Sequence, residues 1–250
     1  TIEVTDTWNV VVLPYVRYDS NTGLLLSLRG RDYNFFGTLQ ELEVNLDYER
    51  TEDEENVATL SGNFSVPLRF LGQRWILSLD QAVEWFADDW ESRTTLGLGY
   101  QFFWLQQLWT VTYNQGYRVF TDDPEGDGYY LTSEINLGAS FGLGQSVPVL
   151  GVMTYNPSGY VRRNYRPGGI SDARFGSVLG FNHNVTAGRV DWIGNFRQGV
   201  TAKVSNANDY VAEDLEWSSS IGGEIAWYDT WRFMGFSGRV TGFYLFEGAD

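Results

Sequence analysis

Residues 41–49 run Glu41-Leu42-Glu43-Val44-Asn45-Leu46-Asp47-Tyr48-Glu49. Leu42, Val44, Leu46 and Tyr48 share one parity, and the carboxylates and Asn45 share the other. Successive side chains of an extended chain point to opposite faces, so this is a strand with one apolar and one wet face. The pattern recurs. Leu60, Phe64, Val66 and Leu68 alternate with Thr59, Ser61, Asn63 and Ser65, and Trp109, Val111 and Tyr113 alternate with Thr110, Thr112 and Asn114. It returns over residues 96–102, 131–141, 192–204 and 215–227, and no helical period is sustained for three turns. The expected strands are 8–19, 23–34, 39–51, 57–69, 74–87, 92–103, 108–120, 129–143, 149–158, 174–186, 190–205, 212–227 and 231–246. The ninth is the weakest, because Pro157, Pro167 and several Gly interrupt it.

The connections alternate between two kinds. Short ones are flanked by aromatics: Asn34–Thr38, Phe70–Trp75, Phe103–Gln107 and Tyr228–Trp231. The others are acidic: Glu49–Asn56, Ala87–Glu91, Thr121–Asp127 and Asn208–Asp214. Short turns at one rim and longer polar loops at the other, with aromatics at both, are features of outer-membrane barrels. The expected fold is therefore all-β, a single antiparallel transmembrane β-barrel of about 12–14 strands spanning residues 1–250. Its acidic loops would be extracellular and its short turns periplasmic. A soluble sandwich or lipocalin-like barrel also alternates, but thirteen long strands bearing Gly and aromatics exceed what one such barrel packs.

Composition agrees. The 250 residues hold 10 Trp, 15 Tyr, 16 Phe and no Cys, with a net charge of -15. Without Cys there is no disulfide framework and no thiolate chemistry. The acidic balance argues against a nucleic-acid partner. A mean hydropathy of -0.27 suits a barrel whose two faces average out. If the apolar face meets lipid, the polar face lines the interior with Arg29, Arg31, Glu41, Glu43, Asp47, Glu49, Asp80, Glu84, Arg118, Glu134, Arg197, Lys203, Glu216, Glu224 and Arg239. Such charges pair across strands and fix register, or they line water with a charge preference.

Three stretches carry a family resemblance. They are Tyr15-Val16-Arg17-Tyr18-Asp19-Ser20-Asn21-Thr22-Gly23, Arg31-Asp32-Tyr33-Asn34-Phe35-Phe36-Gly37-Thr38-Leu39-Gln40 and Phe64-Ser65-Val66-Pro67-Leu68. In order and spacing, residues 13–85 resemble the first strands of the barrel in the outer-membrane assembly superfamily that includes BamA and TamA. The resemblance implies insertion or translocation of proteins or lipids. It also implies a weak lateral seam at the first strand, here Val12, Pro14, Tyr15 and Val16. The chain departs from that family in showing about thirteen strands rather than sixteen, no Val/Ile-Arg-Gly-aromatic loop, no POTRA repeats and no terminal aromatic. The expectation is a piece of a longer protein, or a short branch without POTRA domains. Other roles that fit a barrel are a passive porin-like channel for small solutes and a structural barrel in an envelope complex.

No enzymatic activity and no cofactor are expected. His183 lies on the apolar parity with Phe181 and Val185, as in outer-membrane lipid hydrolases that place Ser two residues after the base. Here that position is Val185, and Thr186 is on the other face. Glu52–Glu55 and Asp122–Asp127 offer oxygen ligands for Ca²⁺ without EF-hand spacing. They could also bridge lipopolysaccharide through divalent ions, or lie in solvent. Expected partners are the lipid bilayer and lipopolysaccharide, with client proteins or envelope subunits.

Overall fold

The computed structural model describes residues 9–19, 23–50, 56–147, 150–193, 196–231 and 234–246. The strands are β1 (Val10–Asp19), β2 (Gly23–Asp32), β3 (Leu42–Arg50), β4 (Asn56–Phe70), β5 (Gln73–Trp85), β6 (Trp90–Trp104), β7 (Gln107–Phe120), β8 (Tyr129–Ala139), β9 (Phe141–Val147), β10 (Gly151–Tyr165), β11 (Ser177–Ile193), β12 (Phe196–Val211), β13 (Glu216–Trp231) and β14 (Met234–Phe246). All belong to one sheet whose order follows the chain, β1 to β8 and then β10 to β14, with β9 paired to β10. The ladder ends at β1 and β14, and among the described residues those two strands are not paired, so the sheet is open. The expected all-β antiparallel architecture is present. Closure into a barrel is not.

By contact density the chain divides into two units, residues 1–100, 113–133 and 164–175, and residues 101–112, 134–163 and 176–250. In the first unit the alternation becomes rows across five strands. Val16, Leu26, Tyr48, Ala58 and Trp85 stand side by side, one row from Tyr15, Ser27, Asp47, Thr59 and Glu84 on the opposite face. Exposure runs opposite to that of a water-soluble sheet. Val16 is 65% exposed and Tyr48 40%, whereas Ser27 is 4% exposed. Among the described residues the buried apolar side chains are Tyr130 and Ala226 alone.

The short turns show why strand ends fall where they do. Leu71 and Gly72, between β4 and β5, both have positive φ, which matches the right-handed twist of the strands they join. Leu105 and Gln106, between β6 and β7, also have positive φ, at 50° and 62°, although neither is Gly, Asn or Asp. Left-handed backbone costs a side-chain-bearing residue about 1 kcal/mol. Gln106→Gly is therefore expected to raise unfolding stability by about 1 kcal/mol. The measurement is the urea midpoint of the folded protein, which should rise with unchanged slope.

In the second unit, Ser140 interrupts the strand expected at 129–143. Its two segments, β8 and β9, both run along β10, and the Ser140 hydroxyl donates to Asn156 Oδ1 at 2.8 Å. The strand expected to stop at residue 158 continues to Tyr165. Pro157 is accommodated opposite His183 within an unbroken register from Met153–Ala187 to Arg163–Ser177. The next three strands end at 193, 211 and 231 rather than 186, 205 and 227. Hence Asn208–Val211 and Tyr228–Trp231, expected in connections, are strand.

Gly180 sits between Tyr160 and Asp209 in adjoining registers. The Tyr160 ring lies over it, 2.0 Å from where a Cβ would be, and the Tyr160 hydroxyl donates to Asp209 at 2.6 Å. Only a residue without a side chain allows this bridge across three strands.

Candidate functional site

The polar face of β2–β5 is built by register. Arg31, Glu43, Asn63 and Asp80 stand in one cross-strand row. Arg31 reaches Glu41 at 3.1 Å and Glu43 at 3.7 Å, and Glu43 accepts from Asn45 at 3.2 Å. Arg29 lies 4.6 Å over the Tyr15 ring and 3.4 Å from the Ser27 hydroxyl. Asp47, opposite Ser27 and Thr59, keeps one carboxylate oxygen buried without a hydrogen-bond partner. Glu49 faces Leu25 and Val57 in register. Arg118 and Glu84 line one small cavity with Glu91 and Arg93.

In the second unit, Lys203 stands opposite Glu224 and lines the same cleft, and Arg239 approaches Glu224 at 3.7 Å. Arg197 packs over Trp192 at 5.1 Å and Tyr228 at 5.8 Å. Glu134 lies on β8 within electrostatic reach of Tyr160, and Glu216 is exposed at the start of β13. The polar face thus carries short-range ion pairs, Arg31 with Glu41 and Glu43 and Arg239 with Glu224, and register places Lys203 opposite Glu224.

The residues expected at a lateral seam lie on β1, which among the described residues pairs with β2 alone. Val12, Pro14 and Val16 share the exposed apolar face, opposite Gly30, Leu28 and Leu26. Tyr15 points to the polar face, where it covers Ser27 and Arg29.

The strongest polar constellation among the described residues joins two loops of the first unit, residues 121–128 and 166–175. The Arg174 guanidinium donates to both oxygens of Asp123 at 2.5 Å and to Asp127 at 3.2 Å. It also lies 4.8 Å over the Phe120 ring and 5.1 Å over Tyr130. Asp127 accepts from the Ser171 hydroxyl at 2.7 Å, the Ser171 N–H at 3.1 Å and Arg166 at 3.2 Å. The N–H groups of Gly128 and Glu125 donate to Asp123 at 2.8 and 3.1 Å. The Arg174 hydrogen bonds hold the Asp123 carboxyl far below the ordinary carboxylate range, against the opposing pull of burial. The Ser171 hydroxyl leads the same downward shift at Asp127, and the Asp123 contact raises Arg174. In the next loop, the Ser177 N–H donates to Glu213 at 2.6 Å and lowers its carboxyl.

This clasp revises the expectation for Asp122–Asp127. Asp123 and Asp127 are neither solvated nor free for a cation, since a bidentate guanidinium and neutral donors occupy their oxygens. Asp122 and Glu125 remain exposed. No group of three or more metal-ligating side chains occurs among the described residues, and Glu52–Glu55 lie outside them. Arg174 carried no sequence signal, because its partner is 51 positions away.

His183 stacks on Phe181 at 5.4 Å, and its Nε2 lies 3.1 Å from Asn206 Oδ1. Neither a scan against protein-family models nor a search of curated proteins returns a match for this chain.

Proposed function

We propose that this chain forms the wall of an outer-membrane β-barrel of the BamA/TamA assembly type, acting in the insertion or translocation of proteins or lipids. One observation carries the membrane part of this reading: the apolar face is the exposed one. Each Val, Leu, Phe or Met side chain left in water forgoes about 1.5–3 kcal/mol of burial. Leu26, Leu28, Leu46, Leu60, Leu77 and Leu79 alone are between 41% and 47% exposed. A few such residues cost as much as the 5–15 kcal/mol that stabilises a typical fold. Hydrocarbon removes that cost, and the half-buried polar face then borders the interior. The acidic loops would lie outside the cell and the short turns in the periplasm. The assembly role rests on the resemblance of residues 13–85, with β1 as the strand at which a client would enter.

The test is reconstitution. In vesicles with brominated acyl chains, the fluorescence of Trp85, Trp217 and Trp227 is expected to be quenched. A chain that stays monomeric and soluble without detergent overturns the barrel. Vesicles carrying the chain are expected to accelerate the insertion of an unfolded outer-membrane protein. Steady cation conductance without acceleration replaces the assembly role with a passive channel.

A further inference from the structure

The apolar face of the second unit carries two features side by side. The first is a groove of 510 Å³ whose walls include Trp109, Leu137, Val161 and Phe181, with Pro157 and Gly159 along its floor. Pro157 and Gly159 pair in register with His183 and Phe181, and they leave a trough where longer side chains would stand. The second is a polar cluster on the same face. His183 pairs with Asn206, and Asn208 with Ser219 two places further along the strands.

The hydrogen bonds of this cluster fix its protons. Asn206 Nδ2 donates to the Ser220 carbonyl at 2.9 Å and to the Ser219 hydroxyl at 3.2 Å, which sets the amide. Asn206 Oδ1 is then the acceptor, taking Asn208 Nδ2 at 2.6 Å. Asn208 Nδ2 also donates to the Phe181 carbonyl at 3.2 Å, and Asn208 Oδ1 accepts from Ser219 at 2.9 Å. The contact between His183 Nε2 and Asn206 Oδ1 therefore needs the proton on Nε2. In the neutral ring Nδ1 presents a bare lone pair. With every other polar atom of the cluster engaged, this is the acceptor left for an incoming group.

From this geometry we infer a binding site for one lipid molecule whose headgroup carries an N–H donor, as an ethanolamine phospholipid does. One acyl chain fills the groove between Trp109 and Phe181, and the donor meets His183 Nδ1. The inference rests on the membrane reading above, because only then is an acyl chain the medium next to this face. A polar cluster within an apolar wall is costly unless it has such a use.

The experiment is native mass spectrometry of the micelle-extracted chain, titrated with dioleoyl lipids bearing ethanolamine or choline headgroups. Choline offers no N–H. The wild-type chain is expected to retain one ethanolamine lipid at least tenfold more than the choline lipid. His183→Phe should abolish this preference while still retaining one lipid of either kind. Gly159→Leu should fill the trough and lose both. Equal retention of the two lipids by the wild-type chain overturns the inference, as does an unchanged preference in His183→Phe or unchanged binding in Gly159→Leu. A chain that needs no detergent defeats the membrane reading instead, which separates the two failures. Circular dichroism of each variant should show the wild-type strand signal.

Discussion

In an Arg174→Ala variant, the loops 121–128 and 166–175 separate while the strands that carry them stay paired. Arg174 holds both oxygens of Asp123 in a pair whose side chains are 15% and 3% exposed. Removing one partner leaves a sheltered carboxylate without its counter-charge, which costs about 3 kcal/mol. The loss is local, because the registers of β1–β5 and of β10–β14 do not involve these loops. Limited proteolysis provides the measurement. Cleavage within residues 121–128 and 166–175, slow in the native chain, should become fast in the variant. Unchanged resistance would show that Ser171 and Arg166 suffice to hold Asp127.

The same clasp sets a pH dependence. Both carboxyls are shifted downward in the folded state. A depressed folded pKa contributes stability that is present above the unfolded value, about 3.9 for Asp. That contribution is lost only as pH falls through the lower folded value. The native loops should therefore resist an acid-stable protease near pH 4 and yield in stronger acid. In Arg174→Ala the loops are already apart at neutral pH, so this acid-dependent step should be absent.

Gly199→Val has a comparable effect by a different route. Gly199 has φ 142°, and a Cβ there would stand 1.9 Å from the Arg189 carbonyl oxygen. The obstacle is backbone, so no side-chain rotation relieves it. The β11–β12 pairing around Val190–Gly199 must shift, and about 3 kcal/mol is the expected cost. Heat-dependent gel mobility would follow it, the variant losing its folded band at a lower temperature than the wild type. Gly223→Ala serves as the control, because the atom nearest its Cβ, the Lys203 carbonyl oxygen, is 4.0 Å away.

Alternation made the strands legible because the two faces differ in chemistry at almost every step. Along β3, Leu42, Val44, Leu46 and Tyr48 leave no doubt about parity. Where the chain was misjudged, a local signal was outweighed by pairing. Pro157 and Gly159 suggest a break, yet β10 continues because β11 supplies an uninterrupted partner. Gly188–Arg189 resembles a turn, yet β11 runs on to Ile193. Ser140 gave no warning of the interruption it makes. The charged face was legible as a set of residues, and its pairings follow from register, as with Arg31 and Glu43. The clasp was not legible. Runs of carboxylates announce themselves, but a single Arg in another loop does not. Nor was the cluster around His183, since Asn206, Asn208 and Ser219 look like ordinary strand residues until two registers align them.

The sheet order has a kinetic meaning. Every strand's neighbours are the segments before and after it in the chain, with β8 and β9 acting as one. Each pairing closes a short loop, and the entropy lost on closure grows only slowly with its length. No strand waits for a distant one before it can be ordered. Assembly can therefore start at any hairpin and zip outward in both directions, adding one strand at a time to a template already in place.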